Sequence, residues 1–598
     1  MLVSTLKLKL EVLSMQRRSF IRAAATASAI AWVSPMHKVF SAVGSVQSYP
    51  NQVPFIPGPE VSGLTAEDIQ TLFAINPAYT AQDQTATYPQ SVASGDPQPT
   101  GIVLWTRIAP TAMGDPSAGN IAWQIAADSG FTSILVQGVA TVDPAADNTV
   151  KLPIANPVLV PYTVYYYRFL YNQVPSRTGR FKTLPAVTAE LAQLKIGYVV
   201  CQDYNNGYYT ALSYLALEDL EYIVHLGDYI YETITQTNAA RAVPPFASGG
   251  AIPQNVDDYR HLYQVYRSDP NQQAVHENFA YIQLWDDHEF ANDCHQDFHP
   301  DNNTAPNTAT TPQPALRQAA NQAWSEYGLA DVAFDPTQTW EQSIQVYRKF
   351  SFGTLMDLVV TDERLYRDGP PCGSNIVGER YFSLGCGEMG DSSRTMLGLT
   401  QRQWFLEQLT GSTATWKIWA NEVMLMQLKF ALVYIDLDQW DGYQQERNLI
   451  FNTVHSAGVK NFVAITGDLH TFLAGYLKRD FDNPFQSPVG IELMVGSISS
   501  ANLAEDIEST IELPSAPIPA KYMGIPPNLL DPVIRAANPH IKYWDSSTHG
   551  YAVLTVTASL LTCEFKAVST VREPTATLVP LQTFTIPVNE VKLNLVGS

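Results

Sequence analysis

Apolar positions along this chain come in short bursts, and their character changes twice. From Val43 to Tyr88 the text is Pro- and Asn-containing and reads as an arm lying on the surface. Between Tyr88 and Pro185 the bursts are brief, β-branched and aromatic. They include Gly101-Ile-Val-Leu-Trp105-Thr-Arg107, Ile121-Ala-Trp123-Gln-Ile125 and Tyr162-Thr-Val-Tyr-Tyr-Tyr-Arg168-Phe169, parted by Gly, Pro and Asp turns. That pattern predicts a small β-sandwich, closed by the edge strand at Gly179-Arg-Phe-Lys-Thr-Leu-Pro185. From Leu194 strand-like and helix-like periods alternate. Lys195 to Val200 is a strand, Thr210 to Leu217 has helical spacing, and Glu221 to Leu226 is the next strand. This βαβ pattern predicts an α/β fold with helix-covered sheets. Thr400-Gln-Arg-Gln403 has the form of a capping box opening a helix. Gly550 to Val556 and Leu561 to Phe565 read as a hairpin finishing a sheet, and Asn302 to Gln313 as an insertion or loop.

The predicted strands share a feature at their carboxyl ends. They run into Cys201-Gln-Asp203, Gly227-Asp228-Tyr-Ile-Tyr231, Asp286-Asp287-His288-Glu289, Asp362-Glu-Arg364 and Gly467-Asp468-Leu-His470. A single Asp after a strand usually caps a helix or makes a turn. Five ends bearing metal-ligating or proton-moving groups go beyond capping, and ligands of open α/β sheets collect at strand carboxyl ends. Asp228, Asp287 and Asp468 offer oxygens that suit calcium, manganese or magnesium. Cys201, Tyr231 and His470 are softer or anionic donors, and thiolate with phenolate favours ferric iron over magnesium. A carboxylate such as Asp228 could bridge two ions, as in phosphoryl displacement at paired metals.

Composition fits such a site. With 598 residues, at least two domains are expected. The 36 Lys and Arg against 57 Asp and Glu give a net charge of −21, which argues against a nucleic-acid docking surface. It also means that an anionic phosphate needs a local source of cations, of which bound metal is the simplest. Five cysteines are too few for a disulfide scaffold, although Cys372 and Cys386 could close a loop in an oxidising compartment. Arg17-Arg18-Ser19-Phe20-Ile21-Arg22, followed by the uncharged run Ala23 to Val33, looks like a twin-arginine export signal, with cleavage near Ser41 and Ala42. That signal predicts use of the twin-arginine machinery, a periplasmic or extracellular location, and no transmembrane anchor after processing.

The series Cys201-Gln-Asp, Gly227-Asp-Tyr-Ile-Tyr-Glu232, Trp285-Asp-Asp-His-Glu289, Asp362-Glu-Arg-Leu-Tyr-Arg367 and Gly467-Asp-Leu-His470 resembles the motifs of the alkaline phosphatase D (PhoD-type) family, related to purple acid phosphatases and calcineurin-like metallophosphoesterases. The resemblance implies a four-layer αββα catalytic domain at 189–598. A small fibronectin type III-like β-sandwich at 88–188 precedes it, after an arm at 43–87 and a signal at 1–42. It implies ferric iron held by Cys201, Asp228 and Tyr231 with His470, and calcium, as two ions, on the side of Asp287 and Asp468. Asp228 bridges, and Asp203 is near enough in sequence to join either shell. His288 is implied as general acid or orienting donor, and Arg364 as a clamp for phosphate oxygens. The chain departs from the wider metallophosphoesterase pattern in having fewer histidines and more carboxylates. Asn421 and His549 are further candidates near the site.

The expected activity is hydrolysis of phosphate monoesters or diesters by metal-activated hydroxide. A serine hydrolase is disfavoured because the chain has no Gly-x-Ser-x-Gly elbow. A calcium-binding adhesion or substrate-capture protein explains the acidity and the sandwich, but not thiolate, phenolate and imidazole aimed at one edge.

Overall fold

The computed structural model describes residues 55–57, 64–113, 119–235, 239–300, 311–373, 375, 378–505 and 527–597. The twin-arginine segment, its apolar run and the cleavage region lie outside them, as do residues 302–310 of the expected insertion.

Two large sheets organise the described residues into a mixed α/β structure. In the ten-stranded sheet, Leu194–Val199, Tyr222–His225, Ala280–Gln283 and Val92–Gln98 run parallel in that spatial order. Val199 pairs with His225 and His225 with Gln283, so three strand ends lie abreast. In the seven-stranded sheet, Met356–Val360, Trp416–Ala420, Phe462–Thr466 and Gly490–Met494 are parallel neighbours, with Val360 opposite Ala420 and Ala420 opposite Ile465. Every residue of the 222–225, 280–283, 356–360 and 462–466 strands is buried, as expected for sheets covered on both faces.

Strand alternation decides what each side chain meets. Ile418, Ala420, Val463 and Ile465 join a core shared with Ile196, Ile223 and Leu554 of the other sheet. Trp419, Phe462 and Ala464 point the other way, into a second core with Phe405 and Phe451 of helices Leu399–Gly411 and Gln444–Ser456. The two sheets therefore face one another, and Tyr198 Oη donates to the Leu493 carbonyl between them at 3.3 Å. Each large apolar side chain buried this way contributes about 1.5–3 kcal/mol.

The N-terminal strands behave differently from a free-standing sandwich. Asn120–Ala126, Ile134–Thr141, Val164–Tyr171 and Gly179–Lys182 form a separate sheet. Val92–Gln98, Gly101–Arg107 and Thr149–Ala155 instead extend the ten-stranded sheet, through Ser94 opposite Ala280 and Gly95 opposite Tyr281. Gly95 permits this seat, because a Cβ there would lie 2.0 Å from the Leu329 carbonyl oxygen. Part of the expected arm is helical. Thr65 with Asp68, and Thr80 with Asp83, make capping boxes for Ala66–Leu72 and Ala81–Thr87. Ile69, Leu72 and Phe73 pack on Ala122, Val139 and Leu170 of the N-terminal sheet.

The helix expected to start with a box at Thr400 begins instead at Leu399, after Gly398 with φ 72° and no side-chain cap. Gln401 turns inward: its amide donates to the Asp362 carbonyl and accepts from the Asp362 N–H, both at 2.8 Å. The final hairpin, His549–Val556 with Leu560–Val568, is followed by two more strands, Leu578–Pro587 and Asn594–Val596. Cys372 and Cys386 form a disulfide, while Cys201, Cys294 and Cys563 are free and buried. No helix among the described residues is long and apolar enough to cross a membrane.

Candidate metal centre

Because the central strands of each sheet are parallel and in register, the residues after them gather at one end. Cys201 follows the 194–199 strand, Asp228 and Tyr231 the 222–225 strand, and Asp286, Asp287 and His288 the 280–283 strand. Asp468 and His470 follow the 462–466 strand of the facing sheet. Several of these residues turn sharply into the site. Cys201, Asp228, Asp468 and His470 have φ of 55°, 56°, 65° and 52°, a region in which non-glycine residues carry strain and which clusters at functional sites. Gly227 (φ 111°) lets two strand ends touch, since a Cβ there would sit 2.4 Å from the Asp286 Cβ.

Three groups of side chains have ligand atoms close enough together to hold an ion: Cys201, Asp228 and His470; Asp228, Asp287 and His288; and Asp286, Asp287 and Asp468. Asp228 joins the first two groups and Asp287 the last two. Tyr231 adds a phenol to the first: its Oη donates to Asp228 Oδ2 at 2.7 Å and lies 3.1 Å from His470 Nε2.

The chemistry of this donor set fits cations. His470 Nδ1 faces the Ala501 carbonyl, which can only accept, so Nδ1 carries a proton and Nε2 is the ring nitrogen turned to the Tyr231 oxygen. Carboxylate, imidazole and thiol thus converge on a single phenolic proton. Burial first, and then repulsion from Asp287, Glu289 and Asp468, hold Asp228 well above the usual carboxylate range despite the pull of His288. Burial and Asp228 likewise push the Cys201 thiol and the Tyr231 phenol up. Burial raises Asp286 and Asp468 against the attraction of Arg364. Asp287 is opposed by burial but held below the usual range by Arg364 and His288. A bound multivalent cation reverses this logic, because it favours the deprotonated form of every group facing it.

The profile of the PhoD-like phosphatase family matches residues 196–565, and that of the PhoD-like phosphatase N-terminal domain matches residues 74–185. The chain belongs to the PhoD-like phosphatase family. It is 31% identical over 547 residues to alkaline phosphatase D of Bacillus subtilis (strain 168), covering 90% of this chain and 86% of that one. A solved structure of PhoD superposes with a TM-score of 0.73 at 29% identity, covering 88% of this chain and 94% of the other. This PhoD-like chain is accordingly a phosphoric ester hydrolase.

The family motifs of the chain supply further residues that sequence reasoning quoted but gave no role. Glu289 accepts from the N–H groups of Tyr229 (2.8 Å), Asp228 (3.1 Å) and Asp286 (2.8 Å), tying two strand ends together; burial pushes it up to about 7. Glu232 pairs with His288 Nδ1 at 2.6 Å. Burial would lower His288, but Glu232, Asp228 and Asp287 outweigh it and hold the imidazole well above its ordinary value. The His288 ring lies 4.0 Å from that of Tyr231, with its side chain 17% exposed.

Two expected roles meet a different geometry in this PhoD-like site. Asp203 is in none of the three groups; its Oδ1 accepts from the Asn205 N–H at 2.8 Å and from Tyr266 Oη at 3.3 Å. Arg364 is fully buried. Its Nε donates to Asp286, Nη1 to Asp438 at 2.6 Å and Nη2 to Asp468 at 2.7 Å, so its fork faces carboxylates rather than an open phosphate subsite. Asp438, which also takes Arg367 Nη2 at 2.6 Å, and Gln439, whose amide donates to Asp468 Oδ2, were not foreseen. Asn421 is buried and accepts from Trp440 Nε1 at 2.9 Å. His549 Nε2 lies 2.9 Å from the Ser500 carbonyl, in the loop that also supplies the Ala501 carbonyl to His470.

Proposed function

We propose that this phosphoric ester hydrolase is metal-dependent and releases phosphate from phosphate monoesters or diesters at the centre around Asp228. The observation that carries this reading is the meeting of Cys201, Asp228 and His470, together with the Tyr231 phenol, from two facing sheets. A thiol, a phenol, an imidazole and a carboxylate suit ferric iron, and the carboxylate-rich side of Asp287 and Asp468 suits calcium, with room in the donor count for two ions. Asp228 belongs to two of the ligand groups and would be the residue shared between the ions. Bound there, such ions would lower the pKa of water and neutralise charge on phosphoryl oxygens.

The chain's own residues supply the rest. His288, kept protonated by Glu232, is the group that donates to the leaving oxygen or orients the phosphoryl group. Arg364 neutralises the floor of the centre rather than clamping phosphate. Asp203 acts as an anchor for the turn after Cys201. In this reading the facing sheets with their outer helices are the four-layer αββα catalytic domain, 189–598. Residues 88–188 are the fibronectin type III-like domain, three of whose strands extend the ten-stranded sheet, and twin-arginine export delivers the enzyme to the periplasm or the exterior. A calcium-binding capture protein without turnover is the reading that the family membership does not favour.

Metal analysis and the visible spectrum of the purified protein, with turnover of a chromogenic phosphate ester before and after calcium chelation, test the proposal. Iron, calcium, a tyrosinate-to-iron charge-transfer band and chelator-sensitive turnover are expected. A colourless, zinc-only protein, or activity that survives exhaustive calcium removal, would overturn the metal assignment.

A further inference from the structure

The Cys372–Cys386 disulfide lies at the surface, with Cys386 exposed, yet the segment it closes reaches the metal centre by two routes. On the first route, Arg380 and Tyr381 both hold the carboxylate of Asp293. Tyr381 Oη donates to its two oxygens at 2.9 and 2.7 Å, and Arg380 Nη1 pairs with Oδ2. Asp293, bent into the left-handed region with φ 53°, then donates its own N–H to Asp287 Oδ2 at 2.5 Å. On the second route, Tyr381 and Ser383 pair as a strand with Asp436 and Tyr434, and the Arg380 carbonyl accepts from the Leu437 N–H at 2.8 Å. Asp436 in turn accepts from the Asp438 N–H at 2.8 Å and from the Gln439 amide at 3.2 Å. Gln439 donates to Asp468 Oδ2, and Asp438 holds Arg364.

Both routes end on the same side of the centre. They reach Asp287 and Asp468, whereas the partners of Cys201, Tyr231 and His470 are supplied by other elements: Asp228 and the loop carrying Ser499, Ser500 and Ala501. We propose that the disulfide-closed segment, through Arg380 and Tyr381, is a brace that sets the calcium-side carboxylates Asp287 and Asp468, and so tunes calcium affinity independently of iron. This rests on the metal assignment proposed above. The physical reason is that partners hydrogen-bonded to a ligating carboxylate fix its orientation, and their loss typically costs about 10–100-fold in metal affinity. Arg380 and Tyr381 are positioning residues, since each acts on a metal ligand only through another group, and Asp293 is the one that touches Asp287 itself.

Calcium titration of the full-length, iron-loaded protein after chelator stripping separates the outcomes. The probe is calcium chloride, and the comparison is among wild type, Cys372→Ser/Cys386→Ser and Tyr381→Phe. The brace predicts a calcium Kd raised about ten-fold or more in the double variant and a smaller rise in Tyr381→Phe, which keeps the ring but loses the hydroxyl. Iron content and the charge-transfer band should be unchanged in both. Calcium affinity within two-fold of wild type in both variants would overturn the inference. So would a parallel loss of the iron band, which is the mark of general loosening. A wild-type protein that takes up no calcium would overturn the metal assignment itself, and the inference with it, before any variant is measured.

Discussion

Tyr231 and His470 lie 3.1 Å apart, phenol oxygen to Nε2, although 239 residues separate them and each follows a strand of a different sheet. One phenolic oxygen thus faces the carboxylate of Asp228 at 2.7 Å and the imidazole of His470, an arrangement that suits the shared cation proposed above. Tyr231→Phe keeps the ring and its packing against His288 while removing the oxygen. The expected result is loss of the visible charge-transfer band and a fall in activity beyond the roughly 10–100-fold that loss of a supporting partner costs. Absorbance, iron content and turnover of one preparation check it.

His288 tests the proton-transfer role. Its Nδ1 is held by Glu232 at 2.6 Å and its ring stays partly accessible, in the group that also contains Asp228 and Asp287. His288→Asn should lower kcat by about 10²–10⁴-fold on alkyl esters, whose leaving oxygen needs a proton, and much less on nitrophenyl esters, whose leaving group does not. A uniform loss across leaving groups would instead show that His288 only orients the phosphoryl group.

Gly227 tests whether the strand ends must touch. Its φ of 111° and the 2.4 Å approach that a Cβ would make to the Asp286 Cβ leave no relaxed position for a side chain. Gly227→Ala should cost about 1–3 kcal/mol of stability and displace Asp228 and Asp286 together. Denaturant unfolding reads the first effect, and metal content the second.

These residues differ in how far the sequence could show them. The strand ends at Cys201, Asp228, Asp287 and Asp468 were readable because buried parallel strands are continuous apolar runs, and a polar residue ending such a run stands out. Their mutual distances were not readable, since the meeting of two sheets depends on pairing across hundreds of residues. Asp438 and Gln439 sit in an ordinary turn after the short strand Val433–Asp436, and nothing local marks them as partners of Arg364, 74 residues away, or of Asp468. Thr400 misled because a capping-box pattern states only local preference. Gly398 caps the helix two residues before Thr400, and Gln401 is used to bind the Asp362 backbone. Gly101–Arg107, read as a strand of the sandwich, joins the ten-stranded sheet for a related reason: strand propensity says nothing about which sheet a strand joins.

Arg364 is where the placement of a residue most changes its meaning. As a phosphate clamp it would present its fork to solvent, and its loss would raise KM while leaving stability alone. The guanidinium is instead fully buried, with Asp286, Asp438 and Asp468 on its three nitrogens and Asp287 at 3.7 Å. Removing it leaves buried carboxylates facing one another, and breaking such a network by deleting one partner costs about 3–5 kcal/mol. Arg364→Met should therefore unfold at much lower denaturant than wild type. Arg364→Lys should recover only part of that loss, because one ammonium cannot match three carboxylates as the planar fork does. If calcium is bound by Asp287 and Asp468, added calcium should narrow the stability gap in both variants by replacing part of the missing positive charge. Denaturation midpoints with and without calcium, set beside KM, decide between the two roles: a normal midpoint with a raised KM would restore Arg364 as the phosphate clamp.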